Sequence, residues 1–268
     1  MRRFVLSVLL AGCGGGSGGG GNETAVLQSS FTLVQSGRSN VLKGITVAVD
    51  EANQQAFVAS IVTDHVGVVD LATGALLRTF SLPHFGFTVR DLAFDAAHRR
   101  LWVVSTQGDR IWIVDPDSGA TLVEQDTSPD IVPGSLDFPV LSITVDPSAQ
   151  RLYAARADGN RVNVYDSAGS KLGEILAGQN IVGVRWDAAH AELVALSQPK
   201  GQAWSILVLP AGSETGMATI ARPLNLSNGS ALVGAVDGDD YYLAGSSLWR
   251  VGRDGTGVWS AGLSPASA

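Results

Sequence analysis

The chain has 268 residues, a formal charge of -7 and a single cysteine. An acidic chain without Lys/Arg clusters lacks the electrostatic footprint of a nucleic-acid binder. One cysteine excludes an internal disulfide, so the fold must hold by packing and hydrogen bonds alone.

The chain opens with Met1-Arg2-Arg3, an apolar run from Phe4 to Leu10, and Leu10-Ala11-Gly12-Cys13. A basic start, a short apolar core and small residues before a break are the parts of a secretory signal. The run is too short to span a bilayer, which takes roughly 20 apolar residues. Leu-Ala-Gly-Cys resembles the lipobox of bacterial lipoproteins. That resemblance implies removal of residues 1–12, acylation of Cys13, and a mature charge of -9 once Arg2 and Arg3 are gone. The competing reading is an ordinary signal followed by a chance cysteine. Residues 14–21 are glycine except for Ser17, so residues 13–22 read as a lipidated cysteine and a flexible tether. Gly14 at the position after the cysteine resembles the outer-membrane sorting pattern of Gram-negative hosts. The expected location is the cell envelope, with the domain on the extracytoplasmic side and the membrane as partner through Cys13.

Residues 23–263 form the expected single domain, with 264–268 as a disordered tail. About 240 residues are enough for a large core in one all-β domain. An apolar strand ends in aspartate at Asp50, Asp95, Asp146, Asp187 and Asp237, at intervals of 45, 51, 41 and 50 residues. A polar turn and a second strand follow each one: Ala56 to Ala59, Leu101 to Val104, Leu152 to Ala155, Leu193 to Leu196 and Tyr241 to Ala244. A third strand closes on Asp70, Asp115 and Asp166, each 20 residues after the first aspartate. Each closing aspartate opens a tight turn ending in Gly74, Gly119 or Gly169. Aspartate accepts backbone hydrogen bonds at turn starts, and glycine supplies the positive φ at turn ends. A weaker fourth strand comes next, as in Ala75 to Phe80 and Lys171 to Leu176.

Four short antiparallel strands in each unit of 40 to 50 residues are the sequence cue for propeller blades. The expectation is an all-β propeller of five four-stranded blades, with a β-sandwich as the competing architecture. The segment Val26 to Gln35 is expected to join the last unit and close the ring; six blades result if the termini build a blade between them. The units resemble YVTN-type and NHL-type propeller repeats. The aromatic-led second strand appears as Phe57-Val-Ala-Ser60, Trp102-Val-Val-Ser105 and Tyr153-Ala-Ala-Arg156. The "V-x-V-I-D" third strand appears as Val66-Gly-Val-Val-Asp70 and Ile111-Trp-Ile-Val-Asp115. The resemblance covers roughly residues 44 to 255. It implies the fold and leaves the function open, because this fold hosts many activities.

Side chains alternate along a strand. Positions one and three before each unit's first aspartate are mostly apolar: Val49 and Val47, Phe94 and Leu92, Val145 and Ile143, Trp186 and Val184. Positions two and four are small or polar: Ala48 and Thr46, Ala93 and Asp91, Thr144 and Ser142, Arg185 and Gly183. The second set is expected to face the central channel, and only Asp91 and Arg185 in it are charged. They are the first candidates for holding a polar or charged ligand at the channel mouth. The competing reading makes them a structural pair or two separately hydrated side chains. Arg90, Asp64, Asp137, Asn160 and Asn180 surround them on the ligand face that the family resemblance implies, with Lys43, His65, His84, Asp109 and Asp158 nearby. Asp50, Asp95, Asp146 and Asp187 fall on the opposite face as turn formers. His98 and His190, each in an Asp-Ala-Ala-His turn, read as surface turn residues. The tryptophans read as inter-blade packing.

No cofactor or metal site is assigned. The leading expectation is a non-catalytic binding or scaffold module that engages an envelope protein or glycan. One alternative is a metal-dependent lactonase or sugar-ester hydrolase resembling the gluconolactonase-like propellers, which would need converging Glu, Asn and Asp ligands. Asp64, Asp91, Asp137, Asn160 and Asn180 are available, but no glutamate begins an inner strand. Asp91 and Asp137 are also the candidate pair for glycosidase chemistry, which needs two carboxylates across the substrate. The remaining alternative is a purely structural assembly module.

Overall fold

The computed structural model describes residues 5–7, 30–32, 45–60, 65–82, 89–105, 110–127, 140–156, 161–176, 178–197, 204–211, 222–224, 232–237, 240–244, 247–252 and 259–262. The strands are β1 (Val5–Ser7) and β2 (Ser30–Thr32), followed by five sets of four. The first set is β3 (Ile45–Asp50), β4 (Gln55–Ser60), β5 (His65–Asp70) and β6 (Leu76–Ser81). The second is β7 (Val89–Asp95), β8 (Arg100–Ser105), β9 (Arg110–Val114) and β10 (Thr121–Asp126). The third is β11 (Val140–Asp146), β12 (Arg151–Arg156), β13 (Arg161–Tyr165) and β14 (Lys171–Ile175). The fourth is β15 (Ile181–Asp187), β16 (Glu192–Ser197), β17 (Trp204–Pro210) and β18 (Arg222–Leu224). The last is β19 (Leu232–Asp237), β20 (Asp240–Ala244), β21 (Ser247–Gly252) and β22 (Trp259–Gly262).

Each set is an antiparallel sheet whose strands pair in chain order. The first strands lie side by side, β3 to β7 to β11 to β15 to β19. This is an all-β propeller of four-stranded blades. Among the described residues, the first four sheets present apolar sides to one another and pack in series. Phe57 and Trp112 lie in the core between the first two sheets, Trp102 and Tyr165 between the second and third, and Tyr153 and Leu207 between the third and fourth. An aromatic on the second strand meets the residue before the aspartate of the next blade. Phe57 and Phe94 have ring centroids 5.3 Å apart, and Tyr153 stacks on Trp186 at 6.0 Å. The side chains of Trp204, Trp249 and Trp259 lie outside the described residues.

Two expectations are corrected. The repeat count suggests five blades, or six; among the described residues, shared cores pack four sheets as blades. A blade is a sheet with its interior packed between neighbours, and three core clusters join the first four sheets in series. The fifth sheet repeats the pairing order and its first strand lies against β15. Of its side chains, only those of Val251 and Gly252 fall among the described residues. In the unprocessed chain the ends do not share a blade either: the strand within Val26 to Gln35 is β2, and it pairs with β1, inside the segment that processing at Cys13 would remove. The last sheet already draws its four strands from Leu232 to Gly262.

The turn chemistry follows the sequence. Asp50, Asp95, Asp146 and Asp187 are buried and accept amide hydrogen bonds from Asn53, His98, Ser148 and Ala189. His98 and His190 hold their own turn aspartates through Nδ1, at 2.9 and 2.7 Å. The residues that end these turns, Gln54, Arg99, Gln150 and Ala191, all have φ near +50°, with no glycine to announce it. Arg99 reaches Asp50 of the first blade at 3.1 Å and Asp117 of its own blade at 2.7 Å.

The closing aspartates hold the second set of turns. The Thr73 hydroxyl and amide keep the Asp70 carboxyl below the usual carboxylate range. The amides of Asp117 and Ser118 do the same for Asp115. A carboxyl lowered by folding stabilises the fold above its unfolded pKa of about 3.9 and loses that contribution as pH falls through its folded value. The urea midpoint is therefore expected to drop as pH is lowered from about 5 towards 2. Asp115→Ala should flatten that slope; an unchanged slope would remove these turns from the account.

Candidate functional site

The inner strands carry one repeated device. Residues of a first strand that bond to the second strand alternate with residues whose N–H and C=O point to the free inner edge. The residue three before the aspartate is of the latter kind: Leu92, Ile143 and Val184. The polar residue four before the aspartate in the preceding blade takes its amide. Thr46 Oγ1 accepts from Leu92 N at 3.2 Å, Asp91 Oδ2 from Ile143 N at 2.8 Å, and Ser142 Oγ from Val184 N at 3.4 Å. Thr144 Oγ1 adds a bond from Trp186 N at 2.8 Å.

Asp91 is the centre of this seam. The Thr46 hydroxyl of the first blade donates to its Oδ1. Its neighbour Leu92 donates to the same oxygen at 2.9 Å. Ile143 of the third blade takes Oδ2. One carboxylate, 7% exposed, thus fastens three blades. Its burial is tolerated because its charge is met by three donors.

Arg185, half-buried on the fourth blade, turns back towards the third. Its Nη1 donates to Ser142 Oγ at 3.1 Å, to the Ile143 carbonyl at 3.2 Å and to its own strand at Val184 O, 2.9 Å. Asp91 and Arg185 therefore meet on the two polar ends of one residue: the anion takes the N–H of Ile143, the cation its C=O.

This arrangement amends the expected orientation. Ala48 packs with Leu92, and Ala93 packs with Ile143. Among the described residues, this set meets the neighbouring blades at the inner rim: Thr46, Asp91, Ser142 and Thr144 bond to the following blade and Arg185 to the preceding one. The alternation was legible, but it defines two faces without saying what each one meets. Position four before the aspartate in the fourth unit is Gly183, which brings no side-chain acceptor, so the device stops there.

Arg90 is the extra residue of a bulge in β7, where the register slips between Val89 and Asp91. Its Nε donates to Val140 O of the third blade at 3.0 Å. Asn180 is half-buried just before β15. Asp64, Asp137 and Asn160 lie outside the described residues, as do Lys43, His84, Asp109, Asp158 and Cys13. His65 begins β5 and is exposed. Of the predicted site, the structure brings Arg90 and Asp91 of β7 and Arg185 of β15 onto the backbone of β11. Ile143, whose N–H and C=O Asp91 and Arg185 share, is apolar and carries no signal of this role in the sequence. It also left Thr46, Ser142 and Thr144 unranked because they carry no charge.

No known protein-family profile matches the chain, and no curated protein does. Solved structures do. Hydrazine synthase from Kuenenia stuttgartiensis matches with a TM-score of 0.61 at 15% identity, over 87% of this chain and 70% of that one. The Cps50 (Swd1) β-propeller domain of Myceliophteria thermophila matches with a TM-score of 0.54 at 15% identity, over 87% and 79%. A chain of a nidogen/laminin complex matches with a TM-score of 0.54 at 16% identity, over 81% and 78%. At these identities the likeness is one of fold.

Proposed function

We propose that this chain is a lipid-anchored envelope protein whose propeller, built from YVTN/NHL-type repeats, is a binding or scaffold module. The observation that carries the scaffold part is the inner-rim seam. It fastens consecutive blades through Thr46, Asp91 and Ser142 without a disulfide, which supports a rigid platform for a partner. The Cys13 lipobox and the glycine tether support the anchor. The partner is an envelope protein or glycan.

The test is made in a bacterial host with lipoprotein processing. The unsubstituted chain is expected to take up labelled palmitate and to sediment with membranes. Cys13→Ser should lose the label and move to the soluble fraction. Cross-linking in intact envelopes should then trap a partner in a fixed ratio with the anchored form. An unlabelled, soluble parent chain would contradict the anchor. Hydrolytic turnover without any cross-linked species would contradict the scaffold.

A further inference from the structure

The outermost strands carry a second repeat. In β6 the register passes from Leu76 opposite Val69 to Arg78 opposite Val68, skipping Leu77. In β10 it passes from Thr121 opposite Val114 to Val123 opposite Ile113, skipping Leu122. In β14 it passes from Lys171 opposite Tyr165 to Gly173 opposite Val164, skipping Leu172. In three successive blades the extra residue of the bulge is a leucine, three positions after the turn glycine. These leucines are 48%, 54% and 51% exposed. The outward positions further along the same strands are polar: Thr79 and Ser81, Glu124 and Asp126, and Glu174. Each outer strand thus runs from an exposed leucine beside the third-to-fourth-strand turn to polar residues at its other end.

Single exposed leucines are ordinary on a protein surface. Three at one register position in consecutive blades are different, because equivalent positions lie at one height along the propeller axis. They mark a rim, which suits a flat apolar boundary better than a concave protein groove. A bulge also disrupts the free edge of a sheet, so addition of a partner strand is disfavoured there. Charge narrows the choice further. The closing carboxylates Asp70, Asp115 and Asp166 cap the turns on the same side and repel an anionic surface.

We propose that this rim is a membrane-contact surface: Leu77, Leu122 and Leu172 enter the boundary between headgroups and acyl chains of a zwitterionic, net-neutral bilayer. The inference rests on the lipid anchor proposed above. A lipid on Cys13 holds the domain at the bilayer, and the high effective concentration lets contacts count that are too weak to recruit a free protein. The contact sets which end of the propeller faces away from the membrane.

The lipidated full-length chain in phosphatidylcholine vesicles tests this. Leu77→Cys, Leu122→Cys and Leu172→Cys, with Ser81→Cys as the control at the polar end, are labelled with an environment-sensitive fluorophore. The three rim labels are expected to shift to the blue and to be quenched by spin-labelled lipid, with the Ser81 position unaffected. Phosphatidylglycerol in the vesicles should weaken the effect. Rim labels that match the control on a chain that floats with vesicles would overturn the proposal and leave the anchor intact. A blue shift without lipid quenching would overturn it in favour of a second copy or another protein on the rim. The unsubstituted chain should take no label, since its thiol is already acylated. Labelling at Cys13 would bring down the anchor, and the proposal with it.

Discussion

Asp91→Leu is expected to destabilise the domain by roughly 3–5 kcal/mol, the range for removing one partner from a buried charged hydrogen-bond network. The leucine fills a similar space but accepts nothing. The amide of Ile143 loses its partner at the inner edge, the Thr46 hydroxyl loses its acceptor, and the amide of Leu92 keeps only Thr46 Oγ1. Against a typical stability of about 5–15 kcal/mol this is a large share. Urea denaturation followed by tryptophan fluorescence reads it as a lower midpoint. Thr46→Val should cost less, about 1.5–3 kcal/mol, because Asp91 loses one of its three donors and keeps the amides of Leu92 and Ile143. The two changes should be strongly non-additive, since they remove parts of one network. Additive effects would mean that the contact does not hold the blades.

Gly119→Ala is the second large effect. Gly119 ends the turn opened by Asp115 with φ at +76°. A Cβ there would stand 2.6 Å from Phe80 Cβ and 2.7 Å from Phe80 Cγ, on the outer strand of the preceding blade. Backbone strain of about 1–2 kcal/mol for a side chain in the left-handed region adds to an overpacking cost of about 1–3 kcal/mol. Two controls separate these contributions. Gly178 has φ at +82° with no atom within 4 Å of an added Cβ, so Gly178→Ala should show only the backbone part. Phe80→Ala removes Cγ and keeps Cβ, so it should cost less in the Gly119→Ala background than alone. If Gly119→Ala costs no more than Gly178→Ala, the turn is not an inter-blade contact. Gly169 repeats the arrangement against Gln125, 2.8 Å from its Cβ.

The sequence announced most of the strands because blades packed on both faces need continuous apolar runs closed by Asp and Gly turns. It announced Asp91 and Arg185 because charge is conspicuous among small residues on an inner strand. Other features left no such signal. The bulges that aim Arg90 inward and Leu77, Leu122 and Leu172 outward depend on pairing between strands, and nothing in a single strand's composition fixes where its register slips. The left-handed residues Gln54, Arg99, Gln150 and Ala191 are unmarked because their turns supply the compensation that glycine would otherwise provide. The repeat period counts sheets and places five in the chain, and shared interiors are described for the first four. The partner of β2 was not legible because strand propensity does not name the partner.

The inner-rim seam is the claim on which the scaffold reading stands, and the amide of Ile143 reports on it directly. Its N–H points to the free edge of β11, where only Asp91 meets it among the described residues. Hydrogen exchange at Ile143 is expected to be as slow as at the core strand amides in the native chain, and to accelerate sharply in Asp91→Leu, which accepts nothing, while Leu152 on β12 stays protected. Fast exchange at Ile143 in the native chain, or exchange that Asp91→Leu leaves unchanged, would contradict it.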